Sequence, residues 1–389
     1  MKILMVLDHE FPSDIRVEKE IETLNSAGHK VDLACYTRTN RATEEVYSGI
    51  KIFRKSISNF LYKSSVGALK FPFYFNFWKK FLDEILRKGN YGAIHIHDLP
   101  LAALGFQFAQ KYDLKFVLDL HENWPVLMKL SDHTQSLLGK FLNSHRQWLA
   151  YEKKYANLAD GLIVVAPEMQ ERLRKRGVEN ENTIIVPNTS KKDTFQFLKE
   201  VEPEPEFLTM LYTGGLTRHR GVQVVIEGLR QMKLHENFRF WIVGSGRFEQ
   251  ELRDLVKKAG LENQVEFFGW QPQEKVFEFI MKSDITLIPH LKSEHTDNTS
   301  PNKIFHYMLA QKPVLASDCN YLKRILNAAN CGLIYQNNSS EDFARQLKEM
   351  IDSPDKRKIW GENGLKAVKN EYNWELTSRQ LPVLYQFGN

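Results

Sequence analysis

Residues 296–319 read Thr-Asp-Asn-Thr-Ser-Pro-Asn-Lys-Ile-Phe-His-Tyr-Met-Leu-Ala-Gln-Lys-Pro-Val-Leu-Ala-Ser-Asp-Cys. The polar run Thr296–Ser300 stops at Pro301. Proline is favoured at the first position of a helix, because the N–H it lacks would find no partner there. The pattern predicts a helix over Asn302–Ala310, after which Pro313 opens a short apolar strand, Val314–Ala316. A polar loop feeding a helix start between two strands is one unit of an α/β sheet. Such a helix start offers free N–H groups and partial positive charge, which suits a phosphate. Lys303 adds a full charge in the first turn. A cation there opposes the helix dipole, so helix stability does not account for it. The alternative is a solvated surface lysine.

The same unit recurs outward in both directions. Lys2–Asp8, Lys30–Tyr36, the run from Ala93 to His97, Lys115–Leu120, Gly161–Ala166 and Thr183–Val186 read as short buried strands. So do Phe207–Tyr212, Phe238–Val243, the runs from Val265 and Asp284, and Gly332–Tyr335. Helices are expected over Asp14–Ala27, closed by Gly28, from Leu99, over Val222–Gln231, near Glu341–Asp352 and over Pro354–Asn370. The pattern breaks after Pro187 in a polar stretch containing Pro203 and Pro205. A chain of 389 residues favours two domains, and the break divides them into 1–188 and 207–371.

Hydrophobic residues make up 42% and charged residues 26%, ordinary for a soluble globular protein. Cys35, Cys319 and Cys331 lack metal-like spacing and fit a reducing cytosol. The first strand begins at the N-terminus, so no signal peptide is expected. No apolar run reaches the length of a membrane span. The net charge of +5 permits contact with anionic lipid and does not indicate nucleic acid. In residues 63–88 aromatic and aliphatic side chains follow the helical period, ringed by Lys63, Lys70, Lys79, Lys80, Arg87 and Lys88. That stripe reads either as a core face or as an amphipathic helix lying on an anionic membrane.

Polar groups gather where the strands end. The loop His9–Asp14 follows the first strand at its carboxyl end, the ligand-binding edge of open α/β sheets. Arg16 and Glu20 stand one helical turn apart, as a solvated pair or as part of a site. Two strands end in His97-Asp98 and His121-Glu122, delivering these groups to one edge. His95 and His97 share a strand face, but spacing shows no third ligand, so no metal is expected there. The turn after Tyr212 carries Gly214, Gly215, Arg218, Arg220 and Gly221. Glycine lets backbone approach a ligand, and arginine offers a fork of donors matched to phosphate. The turn thus reads as a diphosphate site or as an ordinary glycine-rich βα turn. Gly244-Ser-Gly246 starts a dinucleotide fingerprint, but Glu249 holds the third glycine place, which disfavours a dehydrogenase.

Taken together these motifs resemble the retaining family 4 glycosyltransferases of GT-B fold. A subgroup carries Pro-Asn-Lys-Ile-Phe-Glu-Tyr-Met, and Pro301–Met308 departs from it only at His306, the place of a glutamate that holds ribose hydroxyls. An earlier family glutamate falls on Asn298. The family Arg and Lys that hold the donor diphosphate fall on Gly215 and Arg220, with Arg218 available as a replacement guanidinium. Asp14–Glu20, His95–Asp98, Asp119–Glu122 and Trp374-Glu375 are similar to further family motifs. The resemblance implies an α/β fold of two Rossmann-like parallel-sheet domains facing across a cleft, with 372–389 as a crossover helix returning to the first. It implies transfer from a nucleotide-diphosphate sugar to a glycan or lipid-linked acceptor, with retention, at the cytoplasmic side of a membrane. No cofactor is implied, and no Asp-x-Asp metal carrier is present. His121, Arg220 and Lys303 are the implied catalytic residues, His121 positioning the sugar. Gly214, Gly215, Arg218, Gly244, Asn298, Ser300, Pro301, Asn302 and His306 would bind the donor. Asp14, Arg16, His97, Asp98 and Glu122 would face the acceptor, Arg16 taking a phosphate. The departures at Gly215, Asn298 and His306 leave two alternatives, a nucleotide-sugar-binding subunit without turnover and a GT-B sugar-nucleotide epimerase.

Overall fold

The computed structural model describes residues 1–12, 14–130, 143–198, 207–232 and 237–386. Its chain forms two compact units, Met1–Pro187 with Thr377–Asn389, and Asn188–Leu376.

The first unit is built on β1 (Lys2–Leu7), β2 (Lys30–Thr37), β3 (Glu44–Tyr47), β4 (Ile50–Ser56), β5 (Ala93–His97), β6 (Lys115–Leu120), β7 (Gly161–Val164) and β8 (Thr183–Ile185). They lie in the order β3-β4-β2-β1-β5-β6-β7-β8, parallel except where β3 meets β4. Helices cover the sheet, so the inner strands are unbroken apolar runs, with Ile3–Val6 wholly buried. The β3–β4 hairpin is an element the sequence reading does not contain. Its turn, Ser48-Gly49, takes positive φ at both residues, the geometry that matches strand twist.

Most of the stripe at 63–88 is core, with Phe71 and Phe73 left exposed at its start. The helix Phe73–Lys88 buries Tyr74, Trp78, Phe81, Leu82, Ile85 and Leu86, so its apolar face is not available to lie on a membrane. A separate short helix, Asn59–Ser64, precedes it.

The second unit is all parallel: β9 (Leu208–Thr213), β10 (Phe238–Val243), β11 (Val265–Gly269), β12 (Ile285–Ile288), β13 (Val314–Ser317) and β14 (Gly332–Tyr335), in the order β11-β10-β9-β12-β13-β14. Met210, Tyr212, Val225, Phe240, Ile242, Leu287, Leu315 and Phe343 form the centre of its core. The carboxyl ends of β9 and β10 pack backbone on backbone. A Cβ on Gly244 would stand 1.9 Å from the Gly214 carbonyl oxygen, and Gly214 itself holds φ +130°. Both positions require glycine.

The helix after Pro301 runs Lys303–Leu309, with Asn302 at its cap. The end of the chain is not the continuous helix expected over 372–389. It makes a short turn of helix, Trp374–Thr377, and a 3-10 turn, Leu381–Tyr385. Pro382 lacks the N–H a continuing helix would need. Tyr385 then hydrogen-bonds His95 Nδ1 at 2.6 Å.

Candidate active site

In the first unit the register of β5 against β6 sets His97 beside Asp119. Asp119 is wholly buried and is the hub of a charged network. Arg16 donates to both its oxygens, Nη2 at 3.0 and 3.2 Å and Nε at 3.3 Å. His121 Nε2 lies 2.6 Å from the same carboxylate. Arg16 also pairs with Glu20 at 3.0 Å and donates to the Val186 carbonyl at 2.8 Å. Burial raises Asp119, but Arg16 and His121 outweigh it and hold it well below the usual carboxylate range. Glu20 goes the other way, raised by burial and by the charge on Asp119. The ionised partner of Arg16 is therefore Asp119.

This corrects two expectations. Arg16 is not placed to take an acceptor phosphate, because its guanidinium is buried and turned inward onto carboxylates. Its pairing with Glu20 exists, but within the core and not on a solvated face. Asp14 caps the helix Ile15–Ser26, accepting from the Arg16 and Val17 amides at 3.0 and 3.2 Å, the ordinary duty of a cap aspartate.

His95 and His97 stack with centroids 4.3 Å apart, and burial pushes both below the usual imidazole range. Spacing gives them no third ligand, yet the fold supplies two: ligand atoms of Glu20, His95, His97 and Asp119 lie within 4.8 Å of one another. Arg16 already bridges the two carboxylates, so we read the cluster as a charge network completed by a guanidinium.

His121 closes the network at the strand edge. Burial disfavours its charge, but Asp119 and then Asp98 outweigh that and push it up to about 10. Asp98, at φ +62°, accepts from the His121 amide at 3.3 Å and stands 3.7 Å from Nδ1. His121 is thus an imidazolium that can donate and cannot serve as a base. Asp98 and Glu122 stand half-buried at the same strand ends. Asp8, at the carboxyl end of β1, accepts from the Tyr74 hydroxyl, and burial raises it to about 7.

In the second unit the central group is Lys303. Its ammonium is buried and has no hydrogen-bond partner among the described residues. It lies 4.1 Å over the Tyr212 ring. A Cβ on Gly214 would come within 2.7 Å of it, so that glycine makes room for the ammonium. Burial, then the charge on Arg220, pushes Lys303 well below the usual lysine range. Arg220 Nη1 lies 3.1 Å from His290 Nε2. Burial and Arg220 hold His290 neutral, so this nitrogen is the acceptor and Nδ1 carries the proton. Burial likewise lowers His219 to about 4 and His295 to about 3. Neither Lys303 nor Arg220 has a carboxylate partner among the ion pairs of the described residues. A guanidinium and a buried lysine amine, with three neutral imidazoles around them, make a site suited to an anion, whose charge would favour the protonated lysine.

The other expected donor residues divide. Gly214 and Gly215 line a pocket of about 330 Å³ with Gly244, Ser245, Gln271 and the exposed Trp270. A Cβ on Gly215 would meet nothing within 4 Å, so the missing family arginine is not excluded by space. Arg218 is exposed, 5.1 Å over Phe248. Asn298 is buried and donates to the Glu294 carbonyl. His306 packs 5.0 Å from the Phe277 ring. Pro301 is half-buried and Asn302 exposed. Ser300 is a correction. Its hydroxyl accepts from the Asn188 amide at 3.1 Å and bonds Tyr321 at 2.7 Å, so it is committed to the fold. The sequence reading gives no site role to Asp8, Tyr212, His219, His290 and His295, takes Glu20 only as a partner of Arg16, and includes Asp119 only as part of a motif. The signal for His290 is its position at the carboxyl end of β12.

Two mainly parallel-sheet units with polar strand ends are the architecture expected of a GT-B fold. The structure resembles sucrose-phosphate synthase from Thermosynechococcus elongatus, with TM-score 0.81, 18% identity, and coverage of 99% of this chain and 98% of that one. It also resembles Anabaena HepE solved with UDP, with TM-score 0.71, 16% identity and 99% of each chain covered. At these identities the likeness establishes the fold. Residues 16–189 match the profile described as Glycosyltransferase Family 4 and residues 193–367 the one described as Glycosyl transferases group 1. The chain belongs to the group 1 glycosyltransferases of GT-B fold. An uncharacterised glycosyltransferase of Methanocaldococcus jannaschii is 23% identical over 294 residues, 75% of this chain and 74% of the relative. The putative colanic acid biosynthesis glycosyltransferase WcaL of Escherichia coli is 24% identical over 243 residues, 61% of this chain and 59% of the relative. The lipopolysaccharide core biosynthesis glycosyltransferase LpsD of Rhizobium meliloti is 20% identical over 242 residues, 62% and 66% of the two. No helix among the described residues is long and apolar enough to cross a membrane.

Proposed function

We propose that this glycosyltransferase moves a sugar from a nucleotide-diphosphate sugar to a glycan or lipid-linked acceptor of a surface polysaccharide or glycolipid. In this reading configuration is retained and no metal takes part. The observation that carries the reading is the buried Lys303 side chain beside Arg220, its Nζ without a hydrogen-bond partner among the described residues. A departing nucleoside diphosphate develops negative charge, and preorganised cations that bind it more tightly as it leaves lower the barrier. His121, charged and at the strand edge with Nδ1 3.7 Å from Asp98, would donate to a sugar hydroxyl, which suits a transfer that needs no enzyme base. Solved HepE complexes hold UDP or UDP-glucose, and two of the relatives are named for colanic acid and lipopolysaccharide core biosynthesis. Both support this choice of substrates. The protein would work peripherally on the cytoplasmic face of a membrane.

The test is sugar release or transfer from UDP-, GDP- and ADP-sugars in EDTA. Turnover of one donor without metal is expected. The second reading, binding without turnover, is favoured by His306 packing on Phe277 where the family holds a ribose-binding glutamate. Tight binding of one donor with neither hydrolysis nor transfer would select it.

His290 gives a further check. His290→Phe removes the acceptor that aims Arg220, and nucleoside diphosphate affinity is expected to fall about 10-fold, the worth of one charged hydrogen bond. His290→Asn, with an amide oxygen available, should restore most of it. Calorimetric titration reads both. Unchanged affinity in the phenylalanine variant would show that Arg220 needs no such support.

A further inference from the structure

We propose that the first unit docks on an anionic lipid bilayer through an aromatic tip formed by Phe60, Phe71 and Phe73. The inference rests on the membrane location proposed above and assigns it a surface. These rings are 66%, 43% and 48% exposed. Phe73 meets Phe60 with centroids 5.8 Å apart and Phe71 at 6.2 Å. Two helices, Asn59–Ser64 and Phe73–Lys88, thus bring their ends together to display three phenylalanines in one cluster. Scattered exposed apolar residues are ordinary, whereas a contiguous aromatic patch marks an interaction surface.

The surroundings identify the partner. Lys63, Lys70, Lys79 and Lys80 are exposed, and no Asp or Glu occurs from Val46 to Leu82. The Arg38 guanidinium joins them, 4.1 Å over the Tyr62 ring. Typical surfaces mix both signs, and protein interfaces are depleted in lysine. Lysine stems that run along apolar surface while the ammonium reaches outward suit phenylalanines entering acyl chains below anionic headgroups. Because the apolar face of Phe73–Lys88 is in the core, insertion is by the tip and not by a helix lying flat.

The tip is joined to the ligand-bearing edge of the sheet. Tyr74, next to Phe73, donates to Asp8 at the end of β1. Tyr36, near the end of β2, packs 6.1 Å from Tyr62 and 6.3 Å from Trp78. An acceptor emerging from the bilayer beside the tip would reach the carboxyl end of β1. This favours a lipid-linked acceptor over a free glycan.

The experiment is cosedimentation of the full chain with phosphatidylcholine vesicles, with and without phosphatidylglycerol. Wild type is expected to bind the anionic vesicles, less so as salt rises. The triple variant Phe60→Ser, Phe71→Ser, Phe73→Ser should lose about 10-fold or more of that binding. Lys63→Gln with Lys70→Gln should erase the preference for phosphatidylglycerol. All five side chains are exposed, and unchanged melting would verify folding. A triple variant that binds like wild type overturns the tip while leaving the membrane location standing. Wild type binding neither vesicle overturns both. Equal wild-type binding to both vesicle types overturns the anionic partner. The assay uses no sugar nucleotide, so failure of the donor reading would not disturb it.

Discussion

Lys303→Met is expected to yield a more stable protein that has lost its nucleotide. The two effects have one cause. An ammonium taken from water without an anion costs several kcal/mol even after relaxation, and here Arg220 adds repulsion. Methionine fills a similar volume over the Tyr212 ring and carries no charge. A gain of about 1–3 kcal/mol is expected for the second unit, seen as a rise in its melting temperature. Nucleoside diphosphate affinity should fall about 100-fold with loss of a charged contact to phosphate. The pH dependence supplies the sign. The folded lysine is depressed below its usual 10.5, so the unfolded chain binds more protons. The burden on the fold is full below the folded value and is relieved as pH rises toward 10.5. The stability gap between variant and wild type should therefore narrow with rising pH. A methionine variant that is less stable and still binds nucleotide would mean that the ammonium serves only its contact with Tyr212. Sites of this kind commonly give up stability for binding.

Local signals made much of this chain legible. Val222–Gln231, Phe238–Val243 and Gly332–Tyr335 carry their period and their turn residues within a few positions, and the structure has them at the same bounds. Lys303 and Arg220 stand out in the sequence because each is out of place as mere surface, the lysine opposing a dipole and the arginine following glycines at a strand end, and the structure adds that the Lys303 ammonium is buried. What was not legible depends on partners far along the chain. An arginine near a helix start reads alike whether it meets water or a carboxylate, and the one Arg16 meets is 103 residues away. Ser300 reads as a ligand-loop hydroxyl, but its partner Asn188 lies 112 residues earlier in the chain. The aromatic stripe at 71–85 had two readings because periodicity gives a face without saying what covers it. The sheet decided for most of that face, and the helix start remained exposed.

Asp119→Asn should be among the most damaging single changes in the first unit. Removing one partner of a buried ion pair leaves the other charge uncompensated, at about 3–5 kcal/mol. Glu20 offsets part of this, because it contacts Arg16 and can ionise once Asp119 is neutral. His121 has no such substitute for the contact at 2.6 Å and should lose most of its rise toward 10. Asp119 is depressed, so its stabilisation is present above its usual 3.8 and is lost as pH falls through the folded value. His121 is raised, so its stabilisation is full below the usual 6.5 and is lost as pH climbs through about 10. Wild type should thus be most stable between these limits, and the variant should show a flatter alkaline side in denaturant melts. Activity gives an independent reading, since the alkaline limb of kcat/KM should move from near 10 toward 6.5 if the imidazolium is the working form. Asp119→Asn combined with Arg16→Met removes both charges and should cost less than the sum of the two single changes. A single-variant loss below about 1 kcal/mol, with the pH profile unmoved, would show that the carboxylate is not the hub and that His121 takes its charge from elsewhere.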